Sequence, residues 1–178
     1  MQGRPIPDAQ ESQVVTDWDR IVREYGPLVF ATAWRILGHT ADTEDIVQEV
    51  FLQVHQMQRT ESVRHWPGLL RRLAACRALD RLRQRRTTVP LNGLSLAGPD
   101  EGPEATAIEH ELAERLRLAI AQLPDREAAV FCLRYFDDLS YQEIAEMLHI
   151  RTGAVASALH KARLKLELLL LETVQENT

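Results

Sequence analysis

Leu139-Ser140-Tyr141-Gln142-Glu143-Ile144-Ala145-Glu146-Met147-Leu148 is the stretch on which the reading of this chain turns. Ser140 and Glu143 stand at capping-box spacing, where each side chain satisfies a backbone N–H of the other residue and fixes a helix start. Ile144, Ala145 and Leu148 fall on one helical face, and the small Ala145 lets a following helix cross closely. His149-Ile150-Arg151 then makes a turn. From Thr152 to about Leu171 a second helix follows, with Val155, Leu159, Ala162 and Leu166 as its inner stripe. Helix, short turn and helix is the arrangement that lays a second helix in a DNA major groove. The outer face of that helix carries Thr152, Ser157, His160, Lys161 and Lys165, residue types that reach bases and phosphates. A small helical bundle that never meets DNA uses the same spacings, so the motif does not decide the matter alone.

Working back toward the N-terminus, Pro124 to Tyr135 reads as another helix, and Ile108, Leu112, Leu116 and Ile120 restart a helical period before it. Ahead of these the pattern stops, with Pro90, Asn92, Gly93, Gly98, Pro99, Gly102 and Pro103 as punctuation. So long an unpatterned stretch inside one compact domain would be unusual, which predicts a flexible linker over 87–107. The expected organisation is all-α: a loose tail over 1–12, a helical domain over 13–86, the linker, and a helix-turn-helix domain over 108–174.

In the first of these domains Trp18, Ile21, Val22, Tyr25, Val29, Ala33, Ile36 and Leu37 repeat at three and four, a core-facing helix bent near Gly26-Pro27. Gly38 ends it. Ala41-Asp42-Thr43-Glu44-Asp45-Ile46-Val47-Gln48-Glu49-Val50-Phe51 follows as an acidic amphipathic helix, begun near Asp42, with Ile46, Val47, Val50, Phe51 and Val54 inward. Pro67 suits the first turn of a third helix whose buried stripe is Leu69, Leu73, Cys76 and Leu79.

Charge is distributed in blocks. The net charge of −5 argues against a general nucleic-acid coat, yet Arg64, Arg71, Arg72, Arg77, Arg81, Arg83, Arg85 and Arg86 share their segment with the single acid Asp80. Arginine offers planar forks for phosphate and stacks on exposed bases, so a nearly pure cationic face points to nucleic acid. The acids concentrate in Asp42 to Glu49 and in Asp100 to Glu114, an asymmetry that suggests one anionic and one basic partner. For Asp42, Glu44, Asp45, Gln48 and Glu49 an ordinary solvated face stabilised by the helix dipole is the competing reading.

Cys76 and Cys132 stand alone without metal-ligand spacing, and both are expected to be buried free thiols of a reducing cytosol. Met1 to Ser12 lacks the apolar core of a signal peptide, and Leu168 to Leu171 is too short to span a bilayer. The expectation is a cytoplasmic chain without membrane insertion, metal or cofactor.

Taken together, these residues resemble a sigma factor of the sigma-70 family, in its extracytoplasmic-function group. Asp42-x-Glu44-Asp45-Ile46-Val47-Gln48-Glu49-Val50-Phe51 is similar to that family's polymerase-docking signature in region two. Trp66, Leu69-Leu70-Arg71 and Asp80-Arg81-Leu82-Arg83 resemble its helix for the minus-ten element. Leu123-Pro124-x-Arg126, Leu139-Ser140-Tyr141-x-Glu143-Ile144-Ala145 and Lys161-Ala162-Arg163 resemble region four, which reads the minus-thirty-five element.

The resemblance implies a non-enzymatic protein whose partners are core RNA polymerase and promoter DNA, with a separate anti-sigma or other regulator. It implies polymerase binding by Asp42, Glu44, Asp45, Gln48 and Glu49. Minus-ten contacts then fall to Arg64, Trp66, Arg71, Arg72, Arg81, Arg83 and Arg85, and minus-thirty-five contacts to Thr152, Ser157, His160, Lys161 and Lys165. The segment from Gln58 to Trp66 would capture a flipped base, with Trp66 either stacking on it or filling the core. The linker acids Asp100, Glu101 and Glu104 would lie near the polymerase active-site channel.

The chain departs from the family pattern at Cys76, where asparagine is frequent, and at Ala154, Ala156 and Ala158, where threonine and basic residues are usual. Arg151 replaces a usual N-cap serine, which leaves Thr152 to cap. Weak upstream affinity is the expected consequence. Two rivals remain at this point. A dimeric helix-turn-helix regulator accounts for the second half but not for the acidic and arginine helices. A carboxylate-bridged metal enzyme would use the E-x-x-H spacing of Glu146 and His149, but no second copy accompanies it.

Overall fold

The computed structural model describes residues 18–58, 63, 65–88 and 107–175. Among them lie seven helices: α1 (Trp18–Leu37), α2 (Thr40–Gln58), α3 (Trp66–Thr88), α4 (Ala107–Ile120), α5 (Asp125–Tyr135), α6 (Tyr141–Leu148) and α7 (Thr152–Gln175). The tail over 1–12, most of the expected linker and its acids, and Arg64 lie outside the described residues.

α1 runs unbroken through Pro27 and buries Ile21, Val29, Thr32, Ala33, Ile36 and Leu37. Val22, expected inside, is 43% exposed, because it lies at the edge of the stripe that α2 and α3 cover. Gly38 stops α1 in a left-handed conformation at φ 59°, its N–H donating to the Trp34 carbonyl. Glycine adopts that conformation without the Cβ clash other residues suffer. α2 starts two residues earlier than Asp42, and its inner stripe of Ile46, Val50, Phe51 and Val54 is buried as the period predicts.

α3 is rotated from its expected setting. Its fully covered face is Leu70, Ala74, Ala75, Ala78, Leu79 and Leu82, while Leu69 and Leu73 are only partly buried and Cys76 is exposed. Three alanines on one face allow α1 to approach α3 closely, and that packing outweighs the burial of a small thiol. Cys132 in α5 is buried as expected, and burial raises its thiol pKa, so it stays protonated.

α5 starts after Pro124 and ends where the Phe136 N–H donates to the Cys132 carbonyl. Asp138, at φ 51°, turns the chain toward α6. The capping box forms as the sequence requires: the Glu143 N–H donates to Ser140 Oγ at 3.2 Å, and the Ser140 N–H donates to Glu143 Oε2 at 2.8 Å. Hydrogen bonding of the carboxylate to the Ser140 hydroxyl and to the Ser140 backbone N–H holds Glu143 below the usual carboxylate range. His149, left-handed at φ 54°, closes α6.

The chain enters α7 at Arg151, whose carbonyl accepts from the Ala154 and Val155 N–H groups. Thr152 is therefore already helical, not the cap that was expected. Val155, Leu159, Ala162 and Leu166 are buried as expected, but Leu112 of α4 is 62% exposed. α3 packs against α4, α5 and α6, so the buried side chains of the two halves join into one cluster.

Candidate polymerase and nucleic-acid interfaces

The acidic and arginine helices lie side by side, and the structure brings most of their predicted site residues together. Arg81 donates through Nη1 to Asp42 Oδ1 at 2.9 Å and Asp45 Oδ2 at 3.4 Å, and through Nη2 to Glu49 Oε1 at 2.9 Å. Arg85 also pairs with Asp42 and donates to the Leu37 carbonyl at 3.4 Å. Burial pulls the Arg85 pKa below the ordinary arginine value, which still leaves it a cation.

Asp42 is thus turned toward α3, whereas Glu44 and Gln48 are exposed and Asp45 and Glu49 keep side chains 60% and 45% exposed. Four acceptors of the expected docking helix remain available to a partner, two of them already shared with Arg81.

Arg83 points elsewhere, to the second half. Its Nη1 lies 2.8 Å from Asp125 Oδ1 and its Nη2 donates to the Leu123 carbonyl at 3.0 Å. Arg71 borders a cleft of about 490 Å³ lined also by Met57, His65 and Leu69 on one side and by Leu139, Glu143, Met147 and His149 on the other. Its Nε is buried there without a hydrogen-bond partner. Arg72 lines the same cleft.

Trp66 meets Trp18 edge-on at 6.1 Å, and Trp18 packs on His55 at 4.8 Å. Of its two expected settings, partial burial in this aromatic cluster is the one adopted. One residue that sequence reasoning passed over is Thr32, buried at 1% exposure, and its only signal was a hydroxyl on an otherwise apolar face.

The outer face of α7 is open. Thr152, Ser157, His160, Lys161 and Lys165 are all exposed, and Lys165 reaches back to Glu127 Oε2 at 2.8 Å. Arg163 donates to Tyr135 Oη at 2.8 Å and covers its ring. The three alanines are not equivalent: Ala156 is exposed, Ala154 half-buried and Ala158 buried at 6% exposure. Ala158 belongs to the packed side of α7, so no side chain there can reach a groove that the outer face enters. His149 caps α6 and Glu146 is exposed. Among the described residues no cluster of three or more metal-ligating side chains includes them.

Residues 21–88 match the family model described as Sigma-70 region 2, and residues 113–166 match that of Sigma-70, region 4. The ECF RNA polymerase sigma factor SigW of Bacillus subtilis is 30% identical over 156 residues, which cover 80% of this chain and 83% of SigW. This chain belongs to the sigma-70 family, in its extracytoplasmic-function group.

The ECF RNA polymerase sigma factor SigE of Mycolicibacterium smegmatis is 29% identical over 169 residues, 92% of this chain and 66% of SigE. Among solved structures, the sigma factor RpoE in complex with the anti-sigma factor NepR, from Bartonella quintana, aligns at a TM-score of 0.56 and 16% identity. That alignment covers 88% of this chain and 98% of RpoE. CnrH, in complex with the cytosolic domain of CnrY, aligns at 0.55 and 20% identity over 86% of each chain. These two show the same all-helical fold. The family membership of both halves in order leaves the dimeric-regulator reading unfavoured.

Proposed function

We propose that this sigma factor docks on core RNA polymerase through the exposed edge of α2, at Glu44, Asp45, Gln48 and Glu49. Promoter recognition and transcription initiation by core polymerase are the function of its family and of this chain. Complementary charge speeds and orients such an encounter, and Ile46, Val50 and Phe51 hold the helix to its own bundle. Asp42 acts at one remove, by fixing Arg81 and Arg85 against α2.

Minus-ten recognition falls to Arg64, Arg71, Arg72 and Arg83, with Arg81 and Arg85 bracing α3 and Trp66 anchoring its start. Separating and unstacking bases costs a few kcal/mol per step, which phosphate contacts and stacking on this face offset. Minus-thirty-five recognition falls to Thr152, Ser157, His160, Lys161 and Lys165 on the open face of α7.

The observation that carries the reading is the acidic helix and the arginine helix packed as one unit, followed in the same chain by a capped helix-turn-helix. The chain itself catalyses nothing in this account. It works in the cytoplasm, where docking on core polymerase and promoter DNA would take place. A separate anti-sigma chain regulates it, a reading supported by the RpoE–NepR complex among its structural neighbours.

The test is transcription from a promoter library by core polymerase with and without this protein. Selective, protein-dependent starts that vanish with the Asp45→Lys/Glu49→Lys variant are the expected result. Promoter-specific DNA binding that is independent of polymerase would return the regulator reading.

A further inference from the structure

Most cations of the second half are held by their own molecule. Arg115 pairs with Glu111, Arg117 with Glu114 and Arg134 with Asp138. Arg163 donates to Tyr135, and Lys165 pairs with Glu127. Among the described residues from α4 to α7, the arginines and lysines whose side chains make no hydrogen bond or ion pair are Arg126, Arg151 and Lys161.

These three are placed differently. Arg126 adjoins Glu127, which meets α7 at Lys165, roughly 20 Å along the helix from its start at 1.5 Å per residue. Lys161 lies roughly 15 Å along. Arg151 stands at the entrance itself, and its backbone is fixed on both sides. Before it, Ile150 packs on the core and its N–H donates to the Ala145 carbonyl at 3.0 Å. After it, its own carbonyl accepts from the Ala154 and Val155 N–H groups at 2.8 and 3.2 Å. The side chain alone is left in solvent.

The neighbouring positions leave that side chain unobstructed. Gly153 carries none, and a Cβ there would meet nothing within 4 Å, while the exposed Ala156 offers only a methyl. In a helix-turn-helix, the residues at the N-terminal end of the second helix are the ones that reach base edges. The other exposed polar side chains on the first two turns of α7 are the hydroxyls of Thr152 and Ser157, which accept more than one base as a partner. Only Arg151 presents there a planar fork of donors, which matches the O6 and N7 acceptors of guanine.

We propose that Arg151 reads a guanine in the upstream promoter element and sets the sequence preference there, with Lys161 holding phosphate. That role rests on the promoter recognition proposed for α7.

The test uses core polymerase, the full chain and a promoter library randomised across the upstream element, with transcripts sequenced to give the preference at each position. Parent, Arg151→Ala, Arg151→Gln and Lys161→Ala are compared. The parent should favour guanine at one position. Arg151→Ala should reduce that preference by about 10- to 100-fold and leave the other positions as they were. Arg151→Gln should move it to adenine, whose N6 and N7 suit a glutamine amide, a switch that a merely structural role would not produce. Lys161→Ala should weaken all sequences evenly. Thermal melts of the variants check that the fold is intact. Unchanged preferences in both Arg151 variants overturn the assignment. Even weakening across all sequences also overturns it, because that is the mark of a phosphate contact. A parent that gives no protein-dependent transcripts would instead overturn promoter recognition itself, and the role of Arg151 with it.

Discussion

On α7 the cations that face outward are mostly unspent, whereas on α3 the arginines have been drawn into the protein. Ser157, His160 and Lys161 stand exposed, with Lys165 alone among the expected contacts reaching back to an acid. Arg81 and Arg85 pair with α2, and Arg83 pairs with the start of α5. Both surfaces look alike as strings of basic residues. They differ because α3 has an acidic helix beside it, and α7 has solvent. A charged face is a binding surface only to the degree that its own molecule leaves it unpaired.

The largest effect expected from pressing on this difference is within α7 itself. Ala158→Arg should destabilise the second half by about 3 kcal/mol, since it forces a long cation into a packed site, while Ala156→Arg should leave stability unchanged. Urea unfolding of the two variants checks this. Equal stability would mean that the wrong face of α7 has been taken as the outer one.

Charge reversal on α2 comes next. Asp45→Lys/Glu49→Lys should weaken core polymerase binding by about 10- to 100-fold, as expected when close charge pairs at an interface become repulsive. Glu44→Lys/Gln48→Lys, which touches no arginine in the structure, sharpens the result. An equal loss in both pairs, measured by titration with core polymerase, places docking on the free edge. A loss in the first pair alone assigns its effect to the Arg81 network.

Arg81→Gln leaves Asp42, Asp45 and Glu49 facing one another without their shared cation, and should cost the first half about 1–2 kcal/mol. If Arg81 braces the fold, its loss should also change the salt slope of promoter binding by less than the roughly one unit expected of a phosphate contact. A full unit with unchanged stability would make it a DNA ligand after all.

Ala156→Arg should tighten binding to an upstream duplex by about tenfold, the scale of one good base contact. The smallest effect concerns the capping box. The Glu143 pKa is depressed by its bonds to Ser140, so its contribution is present above the unfolded value near 4.3 and disappears as pH falls through the folded value. Ser140→Ala should flatten that acid-side dependence in thermal melts.

Local chemistry was legible wherever one element sufficed to decide it. The capping box at Ser140 and Glu143, the glycine stop at Gly38, and the inner stripes of α2 and α7 follow from spacing and turn preference, because each depends on residues within a few positions of one another. The order of motifs likewise carried the family and the all-helical class. What tertiary structure alone decided was which way each helix faces and which charges meet. Periodicity narrows a helix to a stripe, but on α3 several rotations satisfy it, and the alanines against α1 selected the one that exposes Cys76. The family pattern of threonine and basic residues suggests an outward-facing position for Ala158, and only the packing of α7 turns it inward. The pairing of Arg81 with Asp42 and of Asp137 with Arg35 joins residues far apart in the chain, and only the packed helices bring them within hydrogen-bond reach.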